Sequence, residues 1–242
     1  MSSSNMTMQL DTSDKYRVRI ENITPSDANF ELSKKRKCVL GVSMSNPVFW
    51  RSSLGTMLSW MDKNFDSSLI LVGDYLQRLN EQISNGNDAD LAIETAMQKG
   101  DLFETKLNQY LPKYKTDKFH VARWKPFYES ADFEKHKIVL DKIYNSNLGV
   151  KKSIDETAKL FVSQKQDKVD FKVSEGEAIR LSVEYLLEEM AVFSILIDQG
   201  WDLVLYPGAQ LPLLMEIAKG EFDGIPNSLN KGTYVELKVR KK

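Results

Sequence analysis

Two hydrophobic patterns alternate along the chain. The first is a short, continuous apolar run: Cys38-Val39-Leu40-Gly41-Val42-Ser43, Leu69-Ile70-Leu71-Val72 and Trp201-Asp202-Leu203-Val204-Leu205-Tyr206. Runs of this length, closed by Gly, Pro or small polar residues, predict strands buried on both faces, as in a parallel sheet. Tyr16 to Ile23, Lys118 to Trp124 and Thr233 to Val239 alternate instead and predict three further strands. The second pattern is apolar residues returning every three or four positions. Met57, Leu58, Met61 and Phe65 form such a stripe, with Trp60 beside it, inside an amphipathic segment from about Val48 to Phe65. Helices are also predicted over Tyr75 to Ile83, from Ala89 to about Leu111 (capped by Asp88, stopped by Pro112), over Phe127 to Tyr144 and over Ile154 to Lys165. Two more are predicted within Gly176 to Leu196 and over Leu211 to Ala218. Strands alternating with helices predict an α/β fold, a parallel sheet with helices on both faces.

Composition sets limits on this picture. A chain of 242 residues with 42% hydrophobic content fits a single α/β domain. Residues 1 to 13 are polar and read as a disordered tail, leaving 14 to 242 as the domain. The net charge of −1 means that any nucleic-acid partner must be met by a local patch. Cys38 is the single cysteine, and His120 and His136 are the only histidines, so neither a disulfide nor a zinc site is expected. No metal or other cofactor is expected. A reducing cytoplasm is the simplest compartment, and no apolar run approaches the ~20 residues of a membrane span.

The chemistry concentrates after the first apolar run. Open α/β sheets place reactive groups at the carboxyl ends of strands, and Ser43 sits at such an end, followed by a small-residue turn. Gly41 has no partner glycines for a dinucleotide fingerprint, and there is no phosphate-binding loop. Gly41-Val42-Ser43-Met44-Ser45 lacks the second glycine of a hydrolase elbow. A serine esterase would have to recruit His120 or His136, and neither ends a strand before a turn. The motifs of ATP-driven amino-acid activation by class I synthetases are also missing. Taken singly, Ser43 reads as a turn residue, Tyr185 and Glu189 as a helix surface pair, and Tyr206 as a core aromatic.

Three stretches together resemble the cyclodipeptide synthase family. Val39-Leu40-Gly41-Val42-Ser43 is similar to its pattern of two aliphatics, Gly, aliphatic, Ser. Tyr185-Leu186-Leu187-Glu188-Glu189-Met190-Ala191 is similar to its Tyr, aliphatic, two free positions, Glu, any residue, Pro. Leu205-Tyr206-Pro207 is similar to the Tyr-Pro that marks one of two subfamilies, whereas Asn46 belongs to the signature of the other. The chain departs from the family at Lys37, where a histidine is usual, and at Ala191, where a proline is. Trp60, Phe65 and Asp74 also fall at positions expected of the family, and the resemblance spans about Lys37 to Pro207.

The resemblance implies a Rossmann-like fold similar to the catalytic domain of class I tyrosyl- and tryptophanyl-tRNA synthetases. It implies that two aminoacyl-tRNAs are joined into a cyclic dipeptide, with Ser43 as nucleophile and Tyr185, Glu189 and Tyr206 in catalysis. Val39, Gly41, Leu71, Val192 and Val204 are expected around the first amino acid, with Asn46 near the substrate, so an apolar first residue is expected. For tRNA the candidate cations are Lys34, Lys35, Arg36 and Lys37, with Lys113, Lys115 and Lys118. The helix from Ala89 carries only Lys99 and Lys106 and is not expected to serve. The alternatives are a non-catalytic aminoacyl-tRNA-binding module and, at lower weight, a serine esterase.

Overall fold

A computed structural model describes residues 15–26, 37–86, 88–115, 117–166 and 170–242. The tail and the cations Lys34, Lys35 and Arg36 lie outside the described residues. Six strands form one sheet: β1 Tyr16–Thr24, β2 Lys37–Val42, β3 Ser67–Val72, β4 Phe119–Arg123, β5 Leu203–Pro207 and β6 Thr233–Lys241, in the order β1-β6-β5-β2-β3-β4. β2 through β6 are mutually parallel. β1 is the exception. It runs antiparallel to β6 along its whole length, so the sheet is mixed rather than purely parallel. The alternating pattern of Tyr16 to Ile23 fits such an edge, where one face meets solvent.

From β2 the chain builds outward to β3 and β4, then returns to lay β5 and β6 on the other side of β2. The strand order therefore reverses between β2 and β5, and a crevice opens there above their carboxyl ends. Ser43 and Tyr206 stand at that reversal. The sheet separates two cores. On one face, a 3-10 turn at Pro47–Trp50, α1 Ser53–Asn64 and α3 Ala89–Leu107 pack against Cys38, Leu40, Val42 and Leu205. Leu54, Met57, Leu58 and Met61 of α1 are fully buried there, each contributing roughly 1.5–3 kcal/mol. On the other face lie α2 Asp74–Asn85, α4 Trp124–Tyr128, α5 Ala131–Ser146, α6 Leu148–Gln166, α7 Glu175–Asp198, α8 Pro212–Ala218 and α9 Asn227–Asn230.

The helix predicted from Ala89 ends at Leu107, and a 3-10 turn at Leu111–Lys113 takes up the approach to Pro112. Asp88 caps it as expected, accepting from the Leu91 N–H at 3.0 Å. Gly73 lets the end of β3 pass close to β2: its N–H donates to the Val42 carbonyl at 3.0 Å, and a Cβ would sit 3.0 Å from that oxygen.

Candidate active site

The turn after β2 is built by Asn46. Its N–H donates to the Ser43 carbonyl at 3.1 Å, and its side-chain oxygen accepts from Val48 N–H at 3.0 Å, capping the 3-10 turn. The Asn46 amide then crosses the strand reversal. Nδ2 donates to the Tyr206 hydroxyl at 3.1 Å and to the Pro207 carbonyl at 3.2 Å. One side chain thus locks the turn that carries Ser43 to the end of β5. Ser43 and Ser45 share a hydrogen bond of 2.9 Å, and the Tyr206 hydroxyl is within hydrogen-bonding reach of Ser43. Burial raises the Tyr206 hydroxyl above its usual range, and the bond from Asn46 draws it partly back.

α7 forms the facing wall. Ser174 caps it by accepting from Glu177 N–H at 3.2 Å, and its long apolar stretch lies against the sheet. Tyr185 and Glu189 lie one turn apart on the same side and line a cavity of about 230 Å³. Gly41, Ser43 and Tyr206 border this cavity, and Leu71, Leu76, Leu186, Phe193 and Val204 give it apolar walls. Glu189 faces the cavity and is partly exposed into it. Its Oε2 is buried with no hydrogen-bond partner among the described residues. Burial alone pushes its carboxyl up to about 8. Burial also raises the Tyr185 phenol well above its ordinary value, with Glu189 and Tyr206 adding to the shift. The site is the Ser43 hydroxyl, the hydroxyls of Ser45, Tyr185 and Tyr206 among its neighbours, and the Glu189 acid around a largely apolar hollow.

The family model for cyclodipeptide synthases matches residues 20–197. The chain belongs to the cyclodipeptide synthase family. Solved structures of the family share its fold. A cyclodipeptide synthase from Fluoribacter dumoffii aligns over 94% of this chain and 100% of its own, at 22% identity and a TM-score of 0.80. A Mycobacterium tuberculosis protein, described as demonstrating that cyclodipeptide synthetases are related to type I tRNA synthetases, aligns over 94% of both chains at 16% identity and a TM-score of 0.71. A synthase from Candidatus Glomeribacter gigasporarum, solved bound to Phe-tRNA, aligns over 89% of this chain and 94% of its own, at 15% identity and a TM-score of 0.62. At these identities the likeness is one of fold. No curated protein gives a match.

In this cyclodipeptide synthase, Ser43, Tyr185, Glu189 and Tyr206 come together from β2, α7 and β5 around one cavity. Gly41, Leu71 and Val204 line it too, whereas Asn46 does not and instead donates to the Tyr206 hydroxyl. Val39 and Val192 do not line it. Val39 is fully buried on the same face of β2, level with Val204 and nearer the amino end, and Val192 is fully buried in the same core. The helical step that joins Tyr185 to Glu189 arrives next at Phe193, so spacing by four picks the lining residue that strand-like adjacency missed. Leu76, Trp124 and Leu186 in the lining were also missed, and nothing in their local pattern marks them off from core. Asp74 is fully buried at the start of α2, ion-paired to Arg123 and accepting from Trp124 N–H at 3.1 Å. Trp60 packs edge-on to Phe65 on the opposite side of the sheet from the cavity.

Lys37 stands away from the cavity. It opens β2 at the amino end, roughly 20 Å of strand away from Ser43, with its ammonium 5.3 Å from the Trp201 ring centroid. Lys118 likewise precedes β4 at that end, donating to the Asp62 carbonyl at 2.6 Å. Both histidines are also remote. His120 bonds Ser67 at the amino end of β3 at 3.1 Å, and His136 pairs with Asp198 at the foot of α7 at 3.3 Å. This removes the base that an esterase would require.

Proposed function

We propose that this synthase transfers an aminoacyl group from an aminoacyl-tRNA to Ser43, extends it with a second aminoacyl-tRNA, and releases a cyclic dipeptide by ring closure. The observation that carries this reading is an acid on the wall of the cavity that Ser43 borders: Glu189 Oε2 is buried with no hydrogen-bond partner among the described residues, and burial holds the carboxyl near 8. A substrate ammonium brought against this carboxyl supplies the opposite charge it lacks and draws it back toward the ionised form. Glu189 therefore binds the substrate's ammonium and takes its proton when a free amine is needed.

The steps balance without ATP. The Ser43 oxygen attacks the activated ester carbonyl and its proton leaves with the departing ribose hydroxyl, exchanging one ester for another. Tyr206, within reach of Ser43 and held by Asn46, is placed to relay that proton. The amine of the Ser43-bound residue next attacks the second aminoacyl ester, forming a peptide bond and releasing the second tRNA. The new terminal amine then attacks the Ser43 ester and frees the serine. Closure needs a cis amide, which costs roughly 2.5–4 kcal/mol. Holding both ends in one cavity offsets this, since oriented intramolecular attack is worth about 7–11 kcal/mol. The apolar walls and the volume of about 230 Å³ favour a first residue of Leu, Met or Phe type.

For the tRNA, support comes from β1 and β6. β6 is parallel to β5 and continues past Leu237, the partner of Pro207, so its last residues stand beyond the carboxyl ends where Ser43 lies. There Arg17 faces Arg240 and Arg19 faces Lys238 across the two strands; Lys238 is ion-paired to Glu21, which leaves Arg17 opposite Arg240 as the like-charge pair. Like charges set opposite one another are unfavourable unless an anion joins them, and a phosphate backbone is such an anion. The related synthase solved with Phe-tRNA supports tRNA as that partner. The test is to incubate the protein with one charged tRNA at a time and weigh it intact. A mass increase of one aminoacyl group, absent in Ser43→Ala, is expected. Product formation with no covalent adduct on Ser43 would sink the scheme.

A further inference from the structure

Glu188 and Glu189 are neighbours in sequence with opposite surroundings. Glu189 Oε2 has no hydrogen-bond partner among the described residues, whereas Glu188 is gripped at both oxygens. Arg78 of α2 donates from Nη1 to its Oε2 at 2.9 Å and from Nη2 to its Oε1 at 2.5 Å. Arg78 is 7% exposed and Glu188 2% exposed, so the pair is sealed between the helices. The guanidinium is itself fixed: it lies 4.3 Å from the Tyr75 ring centroid and 4.8 Å from that of Tyr128, and Nη1 also donates to the Tyr75 carbonyl at 3.0 Å. One turn before Glu188, Glu184 takes Lys137 of α5 at 3.1 Å.

We infer that the Arg78–Glu188 fork is a positioning pair that sets the rotation of α7 and so aims Tyr185 and Glu189 at Ser43. The inference rests on the role assigned to Glu189 above. Stability does not explain such a pair, because an ion pair buried between helices is readily matched by apolar residues of similar volume. A planar fork does something apolar packing cannot: it accepts one direction only. The side chains of a helix reach about 5–6 Å from its axis, so a rotation of ~10° displaces a carboxyl by about 1 Å. An error of that size can lower a rate by about 10²-fold. Apolar packing along α7 fixes its position against the sheet, and the fork fixes the angle.

The experiment replaces the pair by apolar residues, Arg78→Met with Glu188→Leu, and separately by Arg78→Lys, which keeps the charge and loses the fork. Both proteins, with Glu189→Gln as a control, are measured for thermal melting and for kcat and KM with aminoacyl-tRNA below every variant's melting range. The double variant is expected to melt at or above the wild-type temperature, yet to lose at least about 10-fold in kcat with KM within about 3-fold. Arg78→Lys is expected to lose kcat in the same direction. Wild-type kcat in either protein would overturn the inference and leave the pair purely structural. If Glu189→Gln also kept wild-type kcat, the fault would lie with the role given to Glu189, and the two failures are thereby told apart.

Discussion

The two ends of the sheet carry similar residue types and do different things. At the amino ends stand His120, Lys37 and Lys118, each engaged by a neighbour: Ser67, the Trp201 ring and the Asp62 carbonyl. At the carboxyl ends stand Ser43, Tyr206, the Asn46 lock and the cations of β1 and β6. Parallel strands give the sheet a polarity, and only one end has a crevice, because only there do the connections part at the β2–β5 reversal. A residue's use is therefore decided by which strand end it occupies more than by its type. Both histidines stand away from the crevice, His120 near the amino end of β4 and His136 on α5.

The largest effect should come from setting the two ends against each other directly. Ser43→Ala removes the nucleophile and is expected to reduce cyclic dipeptide formation by more than about 10⁴-fold. His120→Ala and His136→Ala should leave it unchanged. Assays of the purified variants with charged tRNAs decide this, and a crippled histidine variant would restore the esterase reading.

Glu189→Gln comes next, with an expected loss of about 10²–10⁴-fold in kcat. It also carries a signature in stability. Burial raises the folded-state carboxyl from 4.5 to about 8. Below about pH 4.5 the group is neutral folded and unfolded, and contributes nothing. Between there and about 8 the unfolded chain ionises first and is favoured; above about 8 the penalty is complete, at most roughly 5 kcal/mol. Glu189→Gln should therefore match wild type in melting temperature at pH 4 and exceed it increasingly up to about pH 8. A constant offset across that range would mean that Glu189 is not held neutral in the fold.

Much of this was legible in the sequence. Continuous apolar runs marked the buried strands, and the small-residue turn after Val42 marked the strand end that matters. Tyr185 and Glu189, spaced by four, gave the facing wall. What periodicity could not supply was distance across the fold. Val192 and Phe193 are adjacent and both apolar, and only Phe193, on the four-residue step from Glu189, reaches the cavity. The Arg78–Glu188 fork joins residues 110 apart in sequence, and no local pattern reports such a pair. The cations of β1 and β6 were missed because they are spread thinly over two strands at opposite ends of the chain, whereas Lys34 to Lys37 form a visible block.

A smaller effect tests the cavity. A Cβ built on Gly41 meets nothing within 4 Å, so Gly41→Val should fold normally and, as a β-branched residue in a strand, melt no lower than wild type. The added atoms would occupy the floor beneath Ser43. Competition between charged tRNAs is expected to turn against the largest side chains by about 10-fold or more. Unchanged selectivity would place the first amino acid elsewhere.

The smallest effect compares the two basic surfaces. Arg17→Ala with Arg19→Ala should weaken tRNA binding and reduce the slope of log affinity against log salt by about 2, one phosphate contact for each arginine. Lys37→Ala, at the far end of β2, should alter neither. The same arginine variant should also melt slightly higher, because Arg17 faces Arg240 across the strands and opposed like charges cost roughly 0.2–1 kcal/mol per pair, whereas Lys238 opposite Arg19 is already paired with Glu21. A protein that becomes more stable as it binds less well has been carrying those cations for its partner. If the variant instead melts lower with tRNA binding intact, the ribbon's charges serve the fold, and the acceptor stem must be met on another side of the crevice.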